Sequence, residues 1–490
     1  MSSVTIDPKV LRELIVEALP EHAQAENSTP APGQRFLPVG HVNALQLDRP
    51  LVEGGRGSGK TFWSQSLQDR EARKSLASAF DAPQLDKLEV SCGFDPSRVS
   101  EAYPGVKVIN SLLNKNVSMT DFWFAVVVGL CIPETMRTVG WANLDWPGRC
   151  DAVQSHAELI DTELRKKNQA KREAGSPLLI VFDGLDRAAS GPWSKMTEVT
   201  RGLMETVLEF SRFDSLRLKV FLRDDIAADP AIRRFPDASK LFANRVRLEW
   251  SRADLYGLLW QYLGNANGSE TFRNWSSKLV DSSWGNVDTV HVLPEVLRSN
   301  EAAQERLFHH VAGERMGAGS RKGNTWKWLP MHLKDTLGYT SPRSFLVALR
   351  AAANTSGNYT PIKQQTALHW RAIEEGVRNA SSIRRDEIAE SHPWIDDVLN
   401  PLSGLPVPAR RQDIVARWRR DNITDKVVKR VEADSLVMPS GFDDKDPSSL
   451  LAVLKQLGLC DQRSDGRMDF PDIVRISANM PRKGGVALTS

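Results

Sequence analysis

The run Gly54-Gly55-Arg56-Gly57-Ser58-Gly59-Lys60-Thr61 has the spacing G-x-x-x-x-G-K-[ST], and it follows an apolar stretch and precedes a helical pattern. Glycines at these places permit backbone conformations in which successive N–H groups turn inward onto phosphate oxygens. Lys60 brings charge to the β- and γ-phosphates, and the Thr61 hydroxyl is a ligand for Mg²⁺. Phe62 follows in the first turn of the next helix, whose N-terminal end adds a favourable dipole. Residues 54–62 are therefore expected to hold ATP, with Thr61 on the metal. The plain alternative is a glycine turn before a surface lysine.

A second acidic site is expected at Leu178-Leu179-Ile180-Val181-Phe182-Asp183-Gly184-Leu185-Asp186-Arg187. A buried strand delivers Asp183 to the carboxyl end of a sheet, where open α/β sheets bind ligands. Asp183 there suits the magnesium shell. Asp186 is placed to orient or deprotonate an attacking water. Phosphoryl transfer asks mainly for positioning and charge compensation, so a lysine and two staged carboxylates suffice. The alternatives are a helix N-cap for Asp183 and a surface ion pair for Asp186-Arg187.

Four arginines complete the set. Arg223 ends the strand Lys219-Val220-Phe221-Leu222 and suits a γ-phosphate sensor, or else pairs with Asp224 or Asp225. Arg343 follows Ser341-Pro342, a cap and first-position proline. A cation in a first helical turn opposes the helix dipole and calls for an anion, either phosphate or an acidic neighbour. Arg233, with Arg234 beside it, reads as a helix end or as a cation reaching a neighbouring subunit's phosphate.

These residues need a scaffold. Ala44–Glu53 reads as the strand entering the phosphate loop and 61–75 as the helix leaving it. Further strands are expected at 88–92, 178–182, 219–222 and 246–250, and helices at 118–131, 151–173, 193–213 and 230–242. Strand and helix alternating in this way imply an α/β fold, a parallel sheet with helices on both faces. After Trp250 helices are expected at 252–263, 269–279, 294–316, 341–355 and 361–378. A helix at 448–457 and a hairpin around Ser464-Asp465-Gly466 suggest a winged helix. The expected domains are an N-terminal helix and linker (1–34), a phosphate-loop ATPase core (35–250), a helical lid (251–380) and a winged-helix-like domain (381–490).

Composition narrows the classes. At 490 residues, more than one core is expected. With 64 Lys/Arg against 61 Asp/Glu, net charge is +3, which disfavours a dedicated polyanion binder. Four cysteines without metal-ligand spacing suggest a reducing compartment. No secretory leader is read at the start. The most apolar window, 122–132, is too short to span a bilayer. The chain is expected to be cytoplasmic, with no membrane contact. The basic stretch of Arg410, Arg411, Arg417, Arg419, Arg420, Lys426, Lys429 and Arg430, around Trp418, suits either DNA phosphates or a solvated face.

Together the motifs resemble bacterial P-loop ATPases of the AAA+/STAND group, with their KAP and NACHT relatives. By that resemblance Asp183-Gly184-Leu185-Asp186-Arg187 is the Walker B site, the strand ending at Arg223 carries a sensor, and Ser341-Pro342-Arg343 is the sensor opening a lid helix. Standard members place a glutamate directly after the Walker B aspartate, where this chain has Gly184, which implies slow hydrolysis. The resemblance implies a switch ATPase that forms a homo-oligomer or works with partner proteins encoded nearby, in bacterial defence or signalling. A DNA-binding loader and a nucleotide-dependent scaffold with little turnover are the other expectations.

Overall fold

An unbroken apolar run, Leu178–Phe182, lies within the sheet. The computed structural model describes residues 5–21, 32–79, 82–287, 289–319, 321–359, 366–434 and 436–482. Five parallel strands, β1 (Leu51–Gly54), β2 (Glu89–Phe94), β3 (Leu178–Phe182), β4 (Leu216–Arg223) and β5 (Val246–Arg247), are ordered β2-β3-β4-β1-β5. All five residues of β3 and all four of β1 are buried, as strands covered on both faces require.

Alternation along the strands divides the faces. Leu178, Ile180 and Phe182 of β3 and Leu216, Leu218, Val220 and Leu222 of β4 join one apolar cluster. Two helices cover it, Met119–Cys131 and Trp193–Phe210. In chain order the helix after the phosphate loop is α1 (Lys60–Gln68), and these two are α2 and α3. Helix α1 packs across β1 to β4 through Trp63 and Leu67, outside that cluster. Ser118 starts α2 by accepting from Asp121 N. α2 and α3 meet closely because Gly202 has no side chain: a β-carbon there would lie 2.5 Å from the Met119 carbonyl carbon.

Several expected elements are shorter or split. The stretch before the phosphate loop is a 3₁₀ coil over Val39–Leu45, and the strand begins only at Leu51. Buried His41 explains the coil. Its Nε2 donates to Glu249 O (3.0 Å), and its Nδ1 accepts from Trp63 Nε1 (3.2 Å). Burial drives its pKa down to about 4, against the Glu249 carbonyl, so the ring is neutral. The helix expected over 61–75 breaks at extended Asp69, whose carboxylate accepts from Ala72 N and starts Arg70–Ala79. The expected 151–173 helix is two, Trp146–Ser155 and Ala157–Glu173, parted at His156. The expected 230–242 helix is a 3₁₀ turn, Pro230–Arg233, and a short helix, Ala238–Ala243; Pro236 lies between them and cannot continue the hydrogen-bond ladder.

The chain divides into two compact units. Val39–Glu249 carries the sheet and also takes in Val431–Ser440 from far along the chain. That segment pairs with the loop before α3: Gly191 N donates to Leu436 O (2.7 Å), and Met438 N donates to Gly191 O (2.8 Å). Val437 packs on the α2–α3 cluster.

The other unit holds Trp250–Arg430, the described residues before Val39 and those from Gly441 on. Its long helices are α4 (Pro342–Ser356) and α5 (Trp370–Ser391), which cross where a β-carbon on Gly376 would collide with the Ala348 carbonyl. The first helix, Pro8–Ala18, buries Leu11, Leu14 and Ile15 and packs against α4. The expected 294–316 helix splits at Asn300, whose side chain accepts from Ala303 N to cap Glu301–Ala312. The C-terminal region has α6 (Arg411–Arg420), α7 (Ile423–Ala433), Ser449–Gln456 and an antiparallel pair, Asp461–Gln462 with Met468–Asp469. Residues 22–31 of the expected linker and 361–365 of the expected helix lie outside the described residues. Among the described residues no helix is long and apolar enough to cross a membrane, and all four cysteines are free thiols.

Candidate nucleotide site

β1 ends at Gly54, level with Arg223 of the neighbouring β4. The loop turns through Gly57 (φ 78°) and Gly59 (φ 103°), conformations that strain any side-chain-bearing residue. A β-carbon on Gly54 would run into Ser58 Oγ. α1 then starts at Lys60, with Gly59 at its cap. Lys60 Nζ donates to Gly54 O (2.7 Å) and Gly55 O (2.8 Å), so the ammonium lies within the cradle. Burial lowers its pKa to about 8; Arg223 adds to the shift, and Asp186, Asp183 and Asp224 oppose it. Thr61 and Phe62 follow in the first helical turn, and the Phe62 ring meets Trp63 edge-on at 5.2 Å. Arg56 lies within the loop and Ser58 is buried.

Asp183 leaves β3 at the same sheet edge. Its Oδ1 accepts from Gly184 N (2.8 Å), and its carboxylate is hydrogen-bonded to the Thr61 side chain. Burial raises its pKa to about 6, against the Gly184 N–H and the Lys60 charge. A hydroxyl and a carboxylate side by side are hard oxygen donors, suited to Mg²⁺ that keeps waters and phosphate oxygens for its other positions. Among the described residues no group of three or more His, Cys, Asp or Glu side chains forms a cage of its own.

Asp186 sits in the short 3₁₀ turn Leu185–Arg187 and pairs with Arg223 Nη1 at 3.3 Å. Arg223 also makes a two-pronged contact with Asp225: Nε to Oδ1 at 3.0 Å and Nη2 to Oδ2 at 2.8 Å. Burial works against the Arg223 charge, but Asp225 and Asp186 outweigh it and hold the guanidinium above its ordinary pKa. Burial likewise pushes Asp186 up, yet Arg223 and Lys60 leave it below the ordinary aspartate value. Arg223 thus has Asp225 as its acidic partner, one of the two the sequence offered, with Asp186 as a second.

Gly184 has φ +69°, and a β-carbon there would lie 2.7 Å from Pro96 Cδ. No glutamate fits the place where the resembled family carries one. Gly184→Glu is therefore expected to lose about 1–3 kcal/mol of stability without accelerating hydrolysis, checked by urea unfolding and phosphate release.

The other sequence candidates are placed differently. In the second unit, Ser341 caps α4 by accepting from Ser344 N, with Pro342 at the first position. Arg343 pairs with Glu387 of α5 at 3.1 Å, and Glu387, 1 % exposed, also takes Arg384 at 3.0 Å. That buried carboxylate answers the misplaced cation of the first turn. Arg233 donates twice to Ala227 O and lies over the Phe242 ring at 4.6 Å. On α6 and α7, Arg410, Arg411, Arg419, Arg420, Lys426, Lys429 and Arg430 are exposed, whereas Trp418 is buried and donates to Val398 O (2.8 Å). Sequence reasoning misses His41, and it brings in Asp224 only as a partner for Arg223. The signal for Asp224 is its place directly after a strand-ending arginine, at the carboxyl edge of the sheet.

No family model matches the chain, and no curated protein matches it. Among solved structures, the chain is similar to an ORC2 protein of Aeropyrum pernix in ADPNP–ADP complexes: 15 % identity, 92 % of this chain and 93 % of that one, TM-score 0.36. A Walker-type ATPase of Pyrococcus abyssi matches at 12 % identity over 91 % of this chain and 99 % of that one, TM-score 0.35. The ADP form of the Aeropyrum protein matches at 14 % identity, covering 93 % of this chain and 94 % of that one, TM-score 0.29. All three scores lie below 0.5, so function rests on the residues of this chain.

Proposed function

We propose that the chain is a Mg²⁺-dependent ATP-binding switch that hydrolyses ATP slowly and changes its assembly or its partner with nucleotide state. The observation that supports this is the meeting of Lys60, Thr61 and Asp183 at the carboxyl edge of one parallel sheet, beside a loop of N–H groups. In this function residues 54–62 bind the phosphates, and Lys60 leaves the Gly54 and Gly55 carbonyls to meet the β- and γ-oxygens. Thr61 and Asp183 hold Mg²⁺, which when bound offsets phosphate charge. Asp186 and Arg223 form a charged pair next to the γ-phosphate position. Arg343, at the start of α4, serves as the nucleotide sensor, with Glu387 as its present acidic partner. Slow turnover fits Gly184, since the site lacks the usual adjacent glutamate.

The test is ATP binding, phosphate release and solution size, measured with and without Mg²⁺ and with a non-hydrolysable ATP analogue. Mg²⁺-dependent binding with slow phosphate release and an analogue-induced change in size is expected. Absence of Mg²⁺-dependent binding overturns the function. An unchanged size removes self-assembly and leaves partner proteins, such as those encoded nearby, as the output. A DNA-loading role is favoured by the exposed cations of α6 and α7; it requires duplex binding that weakens steeply with salt and stimulates phosphate release. A defence or signalling setting follows from the resemblance, as does a cytoplasmic location.

A further inference from the structure

We infer that Asp224 is a catalytic residue of this site, the carboxylate that takes the proton from the attacking water. The inference rests on the hydrolytic function proposed above and assigns the base within it.

Sheet order places the residue. β4 runs between β1, which carries the phosphate loop, and β3, which carries Asp183. Arg223 is level with Gly54, so the next residue emerges beside Gly55 at the carboxyl edge. A β-carbon on Gly55 would sit 3.7 Å from Asp224 Oδ2. Asp224 lies close enough to Lys60 to shift its charge equilibrium. The carboxylate thus borders the cradle at Gly55, within electrostatic reach of the lysine that meets the phosphates.

The neighbouring carboxylates are engaged by cations or the metal position, Glu53 through Oε2 with Arg245 and Arg247. Asp183 engages Thr61 and the Gly184 N–H, and it faces the metal position. Asp186 is paired with Arg223, and Asp225 is gripped by the same guanidinium through two bonds. An acid in an arginine pair is a weak proton acceptor, because accepting a proton forfeits the pair. Gly184 can carry no side chain here. Both Asp224 oxygens, in contrast, are buried and lack a hydrogen-bond partner. Buried orphan acceptors are costly, and sites retain them where a ligand or a water supplies the missing donor. Burial raises the Asp224 pKa to about 6, with Lys60 and Arg247 opposing and Glu53 and Asp225 reinforcing the shift. A base poised near neutral pH is what general-base catalysis requires.

In the step, the water oxygen bonds to the γ-phosphorus as the bond from that phosphorus to the β–γ bridging oxygen breaks. The bridging electron pair stays on ADP beside Lys60. One water proton passes to Asp224 and then leaves to solvent, and the other stays on the released phosphate.

The experiment compares the full-length parent with Asp224→Asn, Asp224→Glu and Asp186→Asn, using ATP affinity, single-turnover phosphate release and its pH profile. Asp224→Asn is expected to bind ATP within about threefold of the parent and to release phosphate about 100-fold more slowly, having lost the acid limb near pH 6. Asp224→Glu recovers part of the rate, and Asp186→Asn slows release less than Asp224→Asn. If Asp224→Asn turns over within threefold of the parent, or keeps the acid limb, the assignment is overturned while the ATPase function stands. If it loses ATP binding instead, Asp224 is a binding residue and the assignment also falls. A parent that binds ATP without releasing phosphate ends both.

Discussion

Lys60→Ala is expected to remove ATP binding at concentrations that saturate the parent, while the fold survives. The Lys60 ammonium is the cation held inside the phosphate loop, bonded to Gly54 O and Gly55 O. A charge-assisted contact to phosphate contributes about 2–3 kcal/mol, so its loss weakens binding about 30- to 150-fold. Removing the side chain also removes positive charge that offsets Asp183, Asp186 and Asp224. The three acids then repel phosphate more strongly, which adds to the loss. Stability changes little, because burial already disfavours the charged ammonium and its loss relieves that cost. Titration calorimetry with ATP and Mg²⁺, alongside thermal melting, checks both halves. Unchanged affinity would place the nucleotide elsewhere.

Asp183→Asn is expected to act in opposite directions on stability and on metal binding. Burial raises the Asp183 pKa from the ordinary 3.8 to about 6. Between those values the native carboxyl holds a proton that the unfolded chain has released. Native stability therefore falls as pH rises through that window and stays lower above it. The asparagine amide keeps an oxygen to accept from Gly184 N and carries no buried charge. Without metal, at pH 7.5, the variant is expected to melt about 2–5 °C above the parent. With Mg²⁺ and ATP the order reverses, because only the parent has the carboxylate donor and gains stability by ligation. The reversal is read by melting both proteins with and without Mg²⁺–ATP. A lower metal-free melting point for the variant would show that Asp183 is not held against a burial cost.

How much of the site is legible in the sequence depends on how local its causes are. The glycine-rich loop is readable as a turn into a helix because Gly57 and Gly59 need positive φ and because Lys60 and Thr61 stand at the first turn of that helix. The strand before Asp183 is readable because five buried apolar residues in a row have few other uses in a chain that alternates strand and helix. Boundaries are less readable. Asp69, His156 and Asn300 break helices through side-chain contacts and backbone turns that helical periodicity does not register. The stretch before β1 is coiled because His41 reaches Trp63 and Glu249, partners 22 and 208 residues away.

The chain's linear order alone determined that a glycine-rich loop opening a lysine-bearing helix, an acidic strand end and a parallel α/β sheet belong to one protein, since each arises from conformational preference or apolar patterning within a few residues. Tertiary structure decided which acids are committed and which are not. It inserted β4 between β1 and β3, drew Asp186 and Asp225 onto Arg223, and left the Asp224 oxygens without donors. It also matched Arg343 with Glu387 and brought Val437 onto the sheet unit's core. The physical reason for each pairing is the same: burial raises the cost of an uncompensated charge or an unsatisfied apolar surface, and the partner that meets that cost is chosen by proximity in space, which separation along the chain does not reveal.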